Sequence, residues 1–167
     1  MEFDITAYPG ICLVDQNCWG NAHGQTYQWL RTPDTSSRST VIYGDNPPLW
    51  NFKHHQQSDI VVINLGTNDN NTHNNVTNEN YFNSYVELIA EVHAKYPKAE
   101  IILVALWNGF DRVGDTWKQG GAFVEEIQQV YEYYKHTGFV HYFNTTGILQ
   151  HNDIVSYRVE GWVLGLS

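Results

Sequence analysis

An α/β fold built on a parallel sheet is what this sequence predicts, and three observations predict it. Two nearly continuous β-branched runs, Asp59 to Leu65 and Glu100 to Leu106, look like parallel strands buried on both faces. Two amphipathic helical patterns alternate with the strand-like runs. Strand, helix, strand, helix, strand in that order is the signature of right-handed crossovers.

The elements follow in chain order. Glu2 to Ala7 reads as a strand, because Phe3, Ile5 and Ala7 alternate with Glu2, Asp4 and Thr6. Residues 8 to 58 are less regular. They carry the turn formers Pro9-Gly10, Pro33 and Pro47-Pro48, with a short helix expected around Thr26 to Arg31. After the Asp59–Leu65 strand, Tyr81 to Tyr96 sets Phe82, Tyr85, Ile89, Val92 and Tyr96 on one helical face. Thr77 or Asn78 can cap its start, and Pro97 stops it. After the Glu100–Leu106 strand, Ala122 to Thr137 aligns Phe123, Ile127, Val130, Tyr131 and Tyr134. Gly138 stands where a helix-ending glycine belongs. Phe139 to Phe143 is the last strand. Neither an internal repeat nor a domain linker is visible.

Composition excludes several function classes. The chain has 167 residues, a formal charge of −9 and only 16% charged residues. That length suits one domain with a real core. Eighteen acidic against nine basic side chains leave no basic footprint for nucleic acid. The longest apolar run, Ile101 to Trp107, is far too short to span a membrane. Histidines such as His23, His54, His55 and His73 show no metal-ligand spacing, so neither a metal nor another cofactor is expected.

In open α/β sheets, sites form beyond the carboxyl ends of strands. Gly66-Thr67-Asn68-Asp69 lies directly after a buried-type strand. There Asn68 offers a neutral amide donor suited to the oxyanion of an acyl-transfer intermediate. A plain turn explains the same residues, since Asn and Asp favour turns. Trp107-Asn108-Gly109 and Asn144-Thr145-Thr146 follow the other two strands. Gly114-Asp115-Thr116 reads as a turn in a polar loop.

The Asp59–Asp69 stretch resembles the Gly-x-Asn-Asp block of the SGNH/GDSL hydrolases. Tyr8-Pro9-Gly10 resembles the glycine block that precedes it. The Trp19-Gly20 region, Asn108-Gly109-Phe110 and the aromatic content resemble fungal secreted SGNH esterases of the carbohydrate-esterase type. The resemblance implies a three-layer α/β/α fold with a flavodoxin-like parallel sheet. It also implies hydrolysis of an ester or of a carbohydrate acetyl group through a serine nucleophile. By that resemblance, Gly10 lends its backbone N–H and Asn68 its side-chain NH₂ to an oxyanion hole. Asp69 orients the loop, and Trp107 and Asn108 border the substrate cleft.

Two family blocks are not found. None of the nine residues before Gly10 is Ser, and no Asp has a His three residues later. The resemblance places the serine strand in the interior of the sheet, with order 2-1-3-4-5. The sequence therefore predicts a three-stranded core, Asp59–Leu65, Glu100–Leu106 and Phe139–Phe143, with lower order before residue 58. Residues 1–154 are expected to form a partial SGNH-type domain, incomplete at its N-terminal strand and C-terminal helix. Residues 155–167 are expected to be an atypical tail from read-through or altered splicing.

Function is then expected in one of two forms. One is an ester hydrolase acting on a small ester or acetylated carbohydrate, with this chain keeping the oxyanion blocks and lacking activity of its own. The other is a non-catalytic carbohydrate-binding domain using Trp19, Trp29, Trp50, Trp107 and Trp117, which as readily fit core packing. Asn70, Asn75 and Asn144 begin N-x-[ST] sequons. Cys12 and Cys18 could pair in an oxidising compartment or remain two buried thiols in the cytosol. Residues 1–4 do not read as a signal peptide, whereas the family resemblance implies secretion.

Overall fold

The computed structural model describes residues 2–44, 46–107, 109–121 and 123–151. Two short helices come first, α1 (Gln25–Gln28) and α2 (Ser37–Tyr43). The central sheet has three parallel strands, β1 (Ile60–Ile63), β2 (Glu100–Val104) and a last strand, β5 (Val140–Phe143), in the order β1-β2-β5. Ile60 pairs with Glu100 and Ile63 with Leu103, while Ile101 pairs with Val140 and Val104 with Phe143. This is the predicted α/β class with its parallel three-stranded core.

Helix α3 (Asn78–Lys95) connects β1 to β2, and α4 (Val124–Tyr134) leads into β5. The Thr77 side chain caps α3 by accepting from Asn80 N–H, and Gly138 ends the short 3-10 turn after α4. The two helices pack side by side on one face of the sheet. Tyr81, Tyr85, Leu88, Ile89 and Val92 of α3 meet Ile127 and Val130 of α4 over Ile63, Ile101, Leu103 and Val140. The capping residue and the apolar stripe thus act together to set α3 on the sheet.

Alternate strand residues point to opposite faces. On the face away from α3 and α4, Ile60, Val62 and Phe143 are more than half exposed. Burial on both faces, expected from the apolar runs, is therefore not met by β1. Both long helices among the described residues cover the same side.

Glu2 to Ala7 forms no strand, and Phe3 and Ile5 are 77% and 78% exposed. The alternating pattern finds no apolar surface to rest on, so propensity alone does not order it as sheet. A groove of about 320 Å³ lies between Asp4 and Thr6 and the outer edge of β1, floored by Trp29, Leu88 and Val92. The next segment departs from the expected looseness before residue 58. A disulfide joins Cys12 to Cys18, both fully buried. Gln25 N–H donates to the Cys12 carbonyl (2.7 Å) and Thr26 N–H to the Leu13 carbonyl (3.2 Å). Trp29 packs on Phe52 with ring centroids 4.7 Å apart, and Tyr96 of the core meets both rings.

A second sheet was not expected. β3 (Phe110–Val113) and β4 (Thr116–Gln119) form an antiparallel hairpin around Gly114-Asp115. The Gly114-Asp115-Thr116 stretch is a turn, as read, but of a hairpin rather than a loop. A two-residue Gly-Asp turn between strands is a recognised hairpin signal. It was masked by the polar, exposed character of both strands. The expected tail 155–167 and its boundary at 154 lie outside the described residues, as does Asn108.

Candidate functional site

The site is built where β1 ends. Gly66 follows Leu65 with φ +125°, and a Cβ there would lie 2.5 Å from the Tyr81 hydroxyl oxygen. Tyr81 in turn donates to the Leu65 carbonyl at 2.6 Å, and Tyr85 donates to the Ile63 carbonyl at 3.3 Å. Two phenols of α3 therefore hold the last carbonyl of β1 and that of Leu65 just beyond it, and only glycine fits against the Tyr81 hydroxyl. Burial pushes both hydroxyls well above the ordinary tyrosine range, so they stay protonated donors. That fixes the direction in which the chain leaves the strand.

Asn68 and Asp69 then turn toward the N-terminal loop. The Asn68 amide donates to the Ile11 carbonyl at 2.8 Å. The Asp69 carboxylate accepts from Leu13 N–H at 2.8 Å and from Val14 N–H at 3.1 Å. Asp69 is 2% exposed, and burial raises its pKa above the usual carboxylate value, opposed by bonds from the Leu13, Val14 and Asp69 backbone. Asn74 closes the loop from behind, donating to the Asn68 carbonyl at 2.7 Å. The contacts of Asn68 and Asp69 join residues 68–69 to residues 11–14, the stretch that follows Tyr8-Pro9-Gly10.

Gly10 sits in a type II turn. Ile11 N–H donates to the Tyr8 carbonyl at 3.2 Å, Pro9 takes the second position and Gly10 the third, with φ +78°. The structure thus brings the Gly10 turn next to the Asn68 amide, one residue from the Ile11 carbonyl that Asn68 holds. An amide N–H and a carboxamide NH₂ are the donor types an oxyanion hole uses. One of the two Asn68 amide hydrogens is already given to Ile11.

Other expected positions are spread out. Trp107, after β2, is 37% exposed and meets Phe110 edge-on, with ring centroids 6.2 Å apart. Trp117 of β4 is 48% exposed and stacks on His151 at 4.1 Å. Trp107, Phe110, Trp117 and His151 form one aromatic surface, joined by the edge-on contact of Phe110 with His151. His151 is not among the residues the sequence points to. Of the sequon residues, Asn75 and Asn144 are exposed and Asn70 is half-buried. Asn144 also accepts from Thr146 N–H at 2.9 Å. Among the described residues, no three His, Cys, Asp or Glu side chains converge as metal ligands would.

No curated protein matches the sequence. Solved carbohydrate esterases do. A family two carbohydrate esterase from Clostridium thermocellum, in complex with cellohexaose, is 26% identical with a TM-score of 0.51. The match covers 81% of this chain and 37% of that one. An active-site mutant of a family two carbohydrate esterase from Clostridium thermocellum is 25% identical, with a TM-score of 0.52, over 82% of this chain and 37% of that chain. The acetyl xylan esterase Est2A from the rumen bacterium Butyrivibrio proteoclasticus shares the fold, with a TM-score of 0.55 at 16% identity, over 81% and 40% of the two chains. The chain thus spans 37–40% of the length of these structures. Residues 9–161 match the GDSL-like Lipase/Acylhydrolase family, and the chain belongs to it.

Proposed function

We propose that this chain contributes the oxyanion-binding half of an ester hydrolase whose substrate is an acetylated carbohydrate. The observation that carries the reading is the junction of the two donor loops, with Asn68 on Ile11 at 2.8 Å and Asp69 on Leu13 and Val14. In this reading the Gly10 N–H and the Asn68 NH₂ stabilise negative charge on the carbonyl oxygen as the tetrahedral intermediate forms. One such donor is typically worth about 2.7–4 kcal/mol of transition-state stabilisation. Residues 1–167 contain neither Gly-Asp-Ser nor Asp-x-x-His, and in this reading they do not supply the nucleophile and base. A serine-bearing strand would lie along the free edge of β1, in the groove whose far end reaches Asn64 and Leu65.

The ester part of the reading is supported by membership of the family, and the carbohydrate part by the carbohydrate-esterase neighbours. A secreted setting is supported by the Cys12–Cys18 disulfide, a bond that persists in oxidising compartments. Glycans would sit on Asn75 and Asn144 before the half-buried Asn70.

The test is hydrolysis and binding measured on the same protein. The purified chain should bind acetylated xylooligosaccharides by calorimetry and leave p-nitrophenyl acetate at the buffer rate. Hydrolysis above buffer with covalent labelling by a serine-directed phosphonate would overturn the half-site assignment. Absence of heat with every acetylated glycan would overturn the carbohydrate assignment.

A second reading is a carbohydrate-binding domain without hydrolysis. The exposed Trp107 and Trp117 surface favours it, since sugar rings stack on such faces. Binding of deacetylated xylooligosaccharides as tightly as acetylated ones, lost in Trp117→Ala, would select it.

A further inference from the structure

We propose that Asn21 is a positioning residue for the oxyanion site, setting the orientation of the Pro9–Gly10 peptide and with it the Gly10 N–H. The inference rests on the oxyanion reading above and adds a residue to it.

The peptide between the second and third positions of a tight turn is the one that flips between turn types. Its carbonyl, on Pro9, accepts from Asn21 Nδ2 at 2.9 Å. No cis peptide is present among the described residues, and a trans peptide points its N–H opposite to its C=O. Holding the Pro9 carbonyl toward Asn21 therefore holds the Gly10 N–H away from it, into the open side of the turn. Turning the peptide over would aim a carbonyl where the oxyanion is to sit.

Asn21 is itself fixed on every polar atom. Its second Nδ2 hydrogen goes to the Cys18 carbonyl at 3.1 Å, and its Oδ1 accepts from the Thr35 hydroxyl at 2.5 Å. Its backbone exchanges both bonds with Cys18, at 2.9 and 3.0 Å. The side chain is 6% exposed, so water does not compete for these bonds. The Pro9 and Cys18 carbonyls, which can only accept, fix which end of the carboxamide faces them, and the Thr35 hydroxyl satisfies the remaining Oδ1. The Cys12–Cys18 disulfide closes the same unit, tying Cys18 back beside Ile11. Space agrees with this arrangement: a Cβ on Gly10 would lie 2.8 Å from Trp19 Cβ and 3.3 Å from Asn21 Nδ2.

The test uses the ¹⁵N-labelled full chain, with residual dipolar couplings reporting the Gly10 N–H direction and acetate as the probe of the oxyanion site. In the unaltered protein, acetate should shift the Gly10 amide and the Asn68 side-chain signals. Asn21→Asp replaces the donor by a carboxylate facing the Pro9 carbonyl. It should change the Gly10 coupling, leave β1 and β2 couplings unchanged, and weaken acetate about tenfold or more, the loss of one charge-assisted hydrogen bond. Thr35→Val keeps Asn21 but leaves its buried Oδ1 without a donor, loosening the side chain, and should give a smaller change in the same two readouts. It carries the test if Asn21→Asp does not fold. An unchanged Gly10 coupling in the folded variants overturns the assignment of Asn21. No acetate response in the unaltered protein overturns the oxyanion reading, while the couplings still decide what Asn21 does.

Discussion

The buried carboxylate of Asp69 holds the backbone of Leu13, 56 residues earlier in the chain, through a 2.8 Å hydrogen bond. Val14 N–H, at 3.1 Å, completes a clamp that two amides and one side chain share. Asp69→Asn keeps the size and removes one acceptor, leaving an amide facing an N–H. An unsatisfied buried group costs roughly 1–3 kcal/mol. The expected outcome is a fall of that size in urea-unfolding free energy, with faster hydrogen exchange at Leu13 and Val14.

The same carboxylate gives a pH dependence with a definite sign. Burial raises its folded pKa above the unfolded value, so the folded state holds the proton more readily. Its share of stability is fully present below the ordinary carboxylate pKa and is lost as pH rises through the raised one. The stability difference between the unaltered protein and Asp69→Asn should therefore shrink with rising pH across that window. Urea midpoints of both proteins at stepped pH check it, and a difference that grows instead would show that the two amide donors outweigh burial.

Gly66→Ala should be among the costliest single-methyl additions in the chain. The new Cβ would meet the Tyr81 hydroxyl oxygen at 2.5 Å, on a backbone with φ +125° that side chains rarely adopt. Overpacking alone typically costs about 1–3 kcal/mol. Tyr81→Phe relieves part of the clash but forfeits the bond to the Leu65 carbonyl. The double variant should thus recover part of the lost stability, measured as a non-additive thermodynamic cycle.

Replacing Cys12 and Cys18 together by alanine should lower stability by about 2 kcal/mol, the chain-entropy value for so short a loop. Because both sulfurs are fully buried, reduction of the native protein by dithiothreitol should be slow and should speed up with added urea. Thiol trapping followed by mass measurement reads this directly.

Much of the fold was legible because the core follows simple periodicities. The Thr77 cap, Gly138 and, of the α3 stripe, Tyr85, Ile89 and Val92 fell where spacing placed them, while Phe82 and Tyr96 are only partly buried and Tyr81 and Leu88 join the core beside them. Glu2–Ala7 misled because alternation reports compatibility with a sheet, and pairing needs a partner edge. The β3–β4 hairpin hid because its strands bury almost nothing, so only the Gly114-Asp115 turn marked it. At the site, Asn68 was visible because it follows a strand. Asn21 was not: it lies in irregular chain, and its partners Pro9, Cys18 and Thr35 are set by tertiary packing rather than by spacing.

The outer edge of β1 bears on how the protein behaves in concentrated solution. Ile60 and Val62 are 56% and 60% exposed beside backbone groups that no described strand pairs. Such an edge is a template for another molecule's strand. The formal charge of −9 opposes such pairing, and that repulsion is weakened by salt and vanishes near the isoelectric point of about 5.2. Light scattering should therefore rise with ionic strength, and rise most steeply as the buffer is brought down toward that pH. A lysine substituted for Val62 should suppress it.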